Sequence, residues 1–404
     1  MTKQHEVDVS VVGGGPAGMV LGLLLAKLGA QVLVLEQHKN FDREYRGEVL
    51  MPRFTQMMRQ INLFDYIASH HHLKLRELEG FFNGKRILRI GFDEISSDTP
   101  FAIWMPQPVL LDALYRKAKS YPNFDLWFDA PTRDLIRDGS QCTGVVVEKA
   151  NETIRVKSKI TVGTDGRFSI VRKRGNFGLE YEDHRFDIVW FTIPKPADYD
   201  NRVRFFLSTD RNYLILPKYP ESIQCGLVVS KGEFLEFHKA GIDSLKKVLL
   251  RAHPLLHSFA REIHDFSHFN VLQAKIEFIK HWAQDGLVLI GDSAHTCSPA
   301  GAIGVSVAVQ SAIIGTDVIY RCLKKGDTSR KALDQIQEVR EKDVREIHNM
   351  QKTFSNLLLP RSKVARALLP VLLPLSAKLG ILRTIQRKML VLNRPLEIGP
   401  DIRL

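Results

Sequence analysis

The chain opens with two apolar runs on either side of a glycine cluster. Residues 8–12, Asp-Val-Ser-Val-Val, and 31–35, Gln-Val-Leu-Val-Leu, are dense in β-branched and aliphatic side chains and predict two short strands. The mostly apolar stretch 19–28 predicts the helix that joins them. The pattern then changes twice. Runs at 86–92 and 100–104 read as strands, 107–120 has apolar residues at Val109, Leu110, Ala113, Leu114 and Ala118 in a helical period, and strands return at 142–149 and 153–162. From 186 to 278 the chain is strand-rich, with runs at 187–193, 202–207, 213–216 and 224–229 between Pro-, Asn- and Asp-containing turns, and a helix at 241–252. The run 286–291 restores the α/β pattern, and helices are predicted over 305–319 and, highly charged, over 329–354. An α/β chain interrupted by two sheet-forming inserts follows: 1–71, 106–178 and 281–345 in one domain, 72–105 and 179–280 in a β-sheet domain, and 346–404 as a C-terminal helical segment.

The glycine cluster carries the first chemistry. Gly13 permits a turn of unusual φ, Gly15 lets the backbone approach a pyrophosphate, and Gly18 lets the helix lie close on the sheet. The helix N-terminus, opened by Pro16 and Ala17, then offers a partial positive charge and, from Ala17 onward, free N–H groups to phosphate oxygens. Glu36 stands roughly 20 residues after the turn, beside Gln37, where an acid can bond ribose hydroxyls and repel a 2′-phosphate. The bound nucleotide is therefore expected to be FAD or NAD.

Two later motifs fit the same cradle. In Val162-Gly163-Thr164-Asp165-Gly166-Arg167-Phe168-Ser169-Ile170-Val171-Arg172 a strand ends on a Gly/Asp/Gly turn and a helix opens. In Gly291-Asp292-Ser293-Ala294-His295, followed by Pro299-Ala300-Gly301-Ala302-Ile303-Gly304, a strand ends on Gly-Asp and a Pro/Gly loop leads into a helix. Asp292 is placed to accept from a ribitol hydroxyl.

Together, in this order and spacing, the three motifs resemble the glycine-rich, DG and GD fingerprints of the class A flavoprotein monooxygenases, the para-hydroxybenzoate hydroxylase-like family. The resemblance runs from Val7 to about Val318. It implies an α/β, Rossmann-like FAD-binding domain of the glutathione-reductase type, interrupted by a β-sheet substrate domain and followed by C-terminal helices. It also implies a reaction. NADPH or NADH binds transiently and reduces FAD, O₂ yields a C4a-hydroperoxide, and one oxygen hydroxylates or epoxidises a small organic substrate, aromatic or polyketide- or isoprenoid-like. The rival is an FAD oxidoreductase acting on a lipophilic substrate without oxygen insertion, as in the related prenyl reductases.

By the same resemblance, Arg46, Pro299 and Gly304 form the catalytic set. Arg46 contacts the cofactor and the mobile flavin, Pro299 lies beside the isoalloxazine, and the helix beyond Gly304 points at the negative charge of the reduced ring. The cofactor set is Gly13, Gly15, Pro16, Ala17, Gly18, Glu36, Gln37, Arg46, Gln107, Asp165, Gly166, Arg172, Gly291, Asp292, Pro299, Gly301, Gly304 and Val305. The chain departs from the family at Ile303-Gly304-Val305-Ser306, where Gln-Gly-x-Asn is frequent, and at Ser311, where Asp is usual. The Trp-x-Trp-x-x-Ile signature of flavin halogenases is absent from its 404 residues.

Composition adds three points. Four scattered cysteines, Cys142, Cys225, Cys297 and Cys322, argue for small buried side chains in a reducing cytoplasm. No run of roughly 18 uncharged apolar residues predicts a membrane span. The net charge of +12 is concentrated at the end: from 351 onward ten bases face only Glu397 and Asp401. That tail, with clusters such as Leu368-Leu369-Pro370-Val371-Leu372-Leu373-Pro374, reads either as helices packed over the substrate domain or as a weak contact with a membrane surface. Its prolines, Pro360, Pro370 and Pro374, are expected to break any long helix. No nucleic acid partner is expected, and no metal, since three adjacent histidines, 70–72, cannot converge on one face. His295 is expected to be structural, and 183–185, Asp-His-Arg, to form a turn. Glu48 reads as a loop acid or an active-site residue. Trp190, Phe191, Phe205 and Tyr213 wall a pocket or fill the core, with Trp190 and Phe191 on opposite faces.

Overall fold

A computed structural model describes residues 3–42, 48–208, 211–358, 363–392 and 394–404. Strand β1 (Lys3–Val12) is the centre of the first sheet, and helix α1 (Pro16–Lys27) and strand β2 (Val32–Leu35) follow it. The buried ends of β1 and β2 pair in parallel, Val9 with Val32 and Val12 with Leu35. Parallel strands covered on both faces need apolar side chains on both, so both runs lose their alternation here. On the other side, β1 pairs in parallel with Glu152–Gly163, which pairs in parallel with Leu287–Leu289. Strand Phe124–Trp127 extends the sheet beyond β2, and the antiparallel strands Thr132–Asp138 and Gln141–Lys149 are attached through Glu152–Gly163.

This order has one consequence for function. The three strands that precede the three motifs are neighbours, so their loops emerge side by side at the carboxyl edge of one sheet. Ile290 N donates to Gly163 O at 2.9 Å, and Thr164 N donates to Val12 O at 2.8 Å. In open parallel sheets this edge is where ligands bind.

The second sheet has eight strands in the order His295–Thr296, Asn270–Ile279, Leu179–Pro194, Ser222–Ser230, Asn212–Lys218, Val203–Leu207, Glu77–Phe82 and Lys85–Gly91. The two inserts meet where Val203–Leu207 pairs in parallel with Glu77–Phe82. A period of two divides the faces. Val189, Phe191, Tyr213, Ile215, Cys225 and Leu227 pack under the helices Glu233–Ala240, Ile242–Ala252 and His257–Glu262. Ile188, Trp190, Phe205, Leu214 and Val228 turn to the other side, toward the first domain.

Four expectations change. The segment 183–185 is strand, within Leu179–Pro194, because Asp183 and His184 pair with Ile276 and Lys275; a bulge follows between His184 and Asp187, and His184 Nε2 meets Asp187 Oδ1 at 2.7 Å. Leu73–Leu75 and Ala102–Trp104 leave the large insert sheet and form a small one with Val49–Leu50. Position 346 is no boundary, since one helix runs over Arg330–Leu358. Finally, helix Lys363–Lys378 passes through both Pro370 and Pro374. Spaced four apart, the two rings share one side of the helix, so the lost backbone bonds fall on a single stripe. Pro360 lies outside the described residues.

The C-terminal segment is not a separate unit. Leu369 and Leu373 pack with Phe82 and Leu207 of the second sheet. After helix Ile381–Leu390 the chain returns to the first domain, where Leu396 and Ile402 join the main core and Lys27 Nζ donates to Asp401 O at 2.6 Å. Val364, Leu368, Val371, Leu372, Leu375 and Leu379 remain exposed. Among the described residues no single helix is long and apolar enough to cross a membrane.

Candidate active site

A cavity of about 1580 Å³ lies between the carboxyl edge of the first sheet and the inner face of the second. Gly13, Gly15, Pro16, Ala17, Glu36, Gln37, Gln107, Asp165, Gly166, Arg172, Asp292, Pro299, Gly301, Gly304 and Val305 all line it. Arg46 lies outside the described residues. Gly18 and Gly291 are not on its wall. They set the packing behind it: a Cβ on Gly18 would come within 2.0 Å of Gly13 O, and Gly291, at φ +71°, faces Ala308 and Ala17.

Each loop is held from within. Glu36, 4% exposed, accepts from Gly14 N at 2.9 Å and His38 N at 3.0 Å. Gly13 takes φ +109°, and a Cβ there would be 2.6 Å from Thr164 O, so the first two loops touch through bare backbone. In the second loop Asp165 accepts from Ser169 Oγ and from Val171 N at 3.1 Å, and Ser169 Oγ caps the helix Ile170–Arg174. Burial raises the Asp165 carboxyl, and these hydrogen bonds oppose it.

Two arginines fasten the second loop to the third. Arg172 donates to Ser293 O at 3.1 Å and to Arg167 O. Arg167 donates to Asp292 Oδ2 at 3.3 Å and to Cys297 O at 3.3 Å. Burial raises the Asp292 carboxyl, with Arg167 acting against it. Arg172, expected at the cofactor, is thus spent largely on the protein's own carbonyls, and Arg167 joins it.

The Pro299 loop is gripped by a residue that the sequence did not single out. Gln351, fully buried in helix Arg330–Leu358, accepts from Ser298 N at 3.0 Å and donates to the carbonyls of Ser298 and Ala300, both at 2.8 Å. Beneath the same region His295 Nε2 meets Ser311 Oγ at 2.9 Å, and Ser311 Oγ accepts from Arg340 Nε at 3.0 Å. His295 is therefore structural, held well below the usual imidazole range by burial first and the Arg340 charge second. Ser311, where the family usually has Asp, is a neutral relay in this network. Arg53, 1% exposed, completes it by donating to Asp343 at 3.0 Å and to Lys388 O at 2.9 Å.

The far wall carries a large apolar patch beside the polar Gln224, Gln273, Lys275 and Glu277. Phe186, Ile188, Trp190 and Phe205 come from the sheet, and Phe354, Met389 and Leu390 from the C-terminal helices. Phe191 and Tyr213 belong to the opposite core. Met389 covers the Pro299 loop closely enough that a Cβ on Gly301 would be 2.5 Å from its Cε. Glu48 is on the wall.

The residues suit FAD on structural grounds. The position of a Cβ on Gly15 is open space, as it must be where a pyrophosphate approaches the backbone. The first turns of α1 and of helix Gly304–Lys325 both face the cavity, each with N–H groups that have no partner within the helix.

The comparisons agree with this geometry. The family model described as "FAD binding domain" matches residues 6–349. The chain belongs to that family: it is a class A FAD-dependent monooxygenase. This monooxygenase is 27% identical to 6-methylpretetramide 4-monooxygenase of Streptomyces rimosus, over 98% of its own length and 95% of that enzyme's. In fold it is similar to p-nitrophenol 4-monooxygenase PnpA of Pseudomonas putida, with a TM-score of 0.79 at 18% identity, covering 96% of this chain and 97% of that one. It is also similar to PqsL of P. aeruginosa, solved with 2-aminobenzoylacetate, with a TM-score of 0.76 at 19% identity, covering 89% and 99% of the two chains.

Proposed function

We propose that this monooxygenase oxygenates a phenolic, polycyclic aromatic of polyketide type, drawing electrons from NADPH or NADH in the cytoplasm. The observation that carries the substrate class is the apolar and aromatic wall, Phe186, Ile188, Trp190 and Phe205, set opposite the Pro299 loop. The cavity, about 1580 Å³, exceeds the usual ligand pocket of roughly 300–1,000 Å³, which leaves room for a ring system beside the dinucleotide. The relative from S. rimosus, named for a reaction on 6-methylpretetramide, supports the same class. Four free, buried cysteines support a reducing compartment.

FAD, when bound and reduced, supplies the activated oxygen. The protein's part is placement and charge. The N-terminus of α1 and Gly15 would receive the pyrophosphate, Glu36 the ribose, Gln107 the phosphate–ribose region and Asp292 a ribitol hydroxyl, with Asp165 also on the FAD side; all of these line the cavity. Pro299, Gly301, Gly304 and Val305 line the part of the cavity that would hold the ring, and the dipole of helix Gly304–Lys325 would stabilise negative charge there by about 0.3–1 kcal/mol or more. Met389 and Leu390 close the loop side and keep water out. The test is oxidation of NAD(P)H in the presence of hydroxylated polycyclic aromatics under labelled dioxygen. Stimulated oxidation with label in the product is expected, and product without label would refute oxygen insertion.

A second contact follows from the tail. Exposed Val371, Leu375 and Leu379, near exposed Lys378, Arg387 and Lys388, suit an anionic lipid surface. Sedimentation with phosphatidylserine vesicles, and not with phosphatidylcholine vesicles, is the expected result.

A further inference from the structure

Three residues that line the cavity each carry a buried polar atom with no partner among the described residues: Thr132 Oγ1, Trp190 Nε1 and Gln386 Oε1. A buried polar atom without a partner is a cost that native proteins rarely leave in place unless something arrives to meet it. Thr132 sits at the nucleotide end, two residues beyond Ala130, whose N–H bonds Glu36 O at 2.9 Å. The other two belong to the substrate half. Trp190 is on the inner face of the second sheet, among Phe186, Ile188 and Phe205. Gln386, 7% exposed, is in the C-terminal helix Ile381–Leu390, three residues before Met389, which covers the Pro299 loop. Nearby Asn212 is already engaged, accepting from Ser208 N at 3.1 Å.

We propose that Gln386 and Trp190 form a complementary pair that selects the substrate by its oxygen pattern: Gln386 Oε1 accepts from a substrate hydroxyl, and Trp190 Nε1 donates to a substrate carbonyl. This rests on the polycyclic-aromatic reading above and makes it narrower. An indole N–H can only donate, and the amide Oε1 can only accept, so the two atoms call for opposite groups on one ligand. The apolar side chains around them bind the ring system without regard to its substituents, so on this part of the wall discrimination falls to these two atoms, while Gln224, Gln273, Lys275 and Glu277 line the cavity elsewhere. Trp190 lies within the family match, which ends at 349, and Gln386 beyond it, so half of the pair comes from the part of the chain that the shared pattern does not cover.

The experiment uses the full-length, FAD-loaded protein and two probes that differ by one group, 2-hydroxyanthraquinone and anthraquinone, with affinities measured by calorimetry. The wild-type protein should bind the hydroxylated probe about tenfold more tightly. Gln386→Leu should bring that ratio close to one with FAD content unchanged. Trp190→Phe should weaken both probes by a similar factor, because both carry carbonyls, and leave the ratio intact. A wild-type ratio near one, or a Gln386→Leu variant that keeps the wild-type ratio, overturns the proposal while leaving the broader substrate class standing. Should Gln386→Leu not fold, the wild-type ratio and the Trp190→Phe variant decide. If the wild-type protein binds neither probe, the polycyclic-aromatic reading itself fails, and this pair with it.

Discussion

Glu36 shows how one side chain serves both the fold and the ligand. Its carboxylate takes the Gly14 and His38 N–H groups, so it fixes the glycine turn from below while facing the cavity. Glu36→Gln keeps the volume and removes the charge. FAD affinity, followed by fluorescence on dilution, should fall about 10- to 100-fold, the worth of a charge-assisted hydrogen bond of about 1.5–3 kcal/mol. His348 makes a different prediction. It is fully buried, its Nδ1 lies 2.9 Å from Tyr181 OH, and burial, helped by Lys352 and Arg345, pushes its imidazole down to about 3. The folded protein therefore refuses a proton that the unfolded chain accepts at about 6.5. Stability is intact at neutral pH, declines as the pH falls below about 6.5, and stops declining from this cause near 3. At pH 5 the loss is about 2 kcal/mol. Urea titrations at pH 7 and pH 5 should show a smaller difference between the two for His348→Gln than for the wild type by roughly that amount.

At the scale of elements, the site depends on which strands are neighbours. Strand β1, Glu152–Gly163 and Leu287–Leu289 are far apart in sequence and adjacent in the sheet, and that adjacency brings the three loops together. The three loops were legible in the sequence because each needs residues with few substitutes: glycine where φ is positive, an acid where ribose binds, proline before a helix. The supports were not. Gln351 clamps the Pro299 loop from a helix that reads only as charged, and no spacing rule connects position 351 to position 298. Arg53 and Arg340, both 1% exposed, look like surface arginines in a linear sequence. Gln351→Leu removes three hydrogen bonds to the loop. The variant should keep its FAD but lose about 2–3 kcal/mol of stability and pass more electrons to O₂ without product, measured as peroxide formed per NAD(P)H consumed. The tail helix also misled. Proline rules favoured a break at 370 and 374, yet packing of Leu369 and Leu373 on the second sheet carries the helix through.

At the scale of the molecule, the second sheet is a wall with two sides. Its alternating residues build a private core under three helices on one side and the cavity face on the other. The sequence showed the strands but not which side each would turn to, since that depends on register and a one-residue slip reverses it. Trp190 and Phe191 were separable as opposite faces; that Trp190 faces the cavity needed the structure. The C-terminal segment, expected either as helices packed over the substrate domain or as a membrane contact, packs Leu369 and Leu373 on the second sheet. It closes the cavity through Met389 and Gln386, joins the core through Leu396 and Ile402, and turns the remaining apolar side of helix Lys363–Lys378 outward. All of this presupposes one flavin held where the three loops converge. The flavin content of the full-length protein, read from its visible spectrum after gel filtration, tests that most directly. One FAD per chain, lost when Gly13→Val fills the gap beside Thr164, is the predicted result. Folded protein that stays colourless after incubation with excess FAD would contradict it.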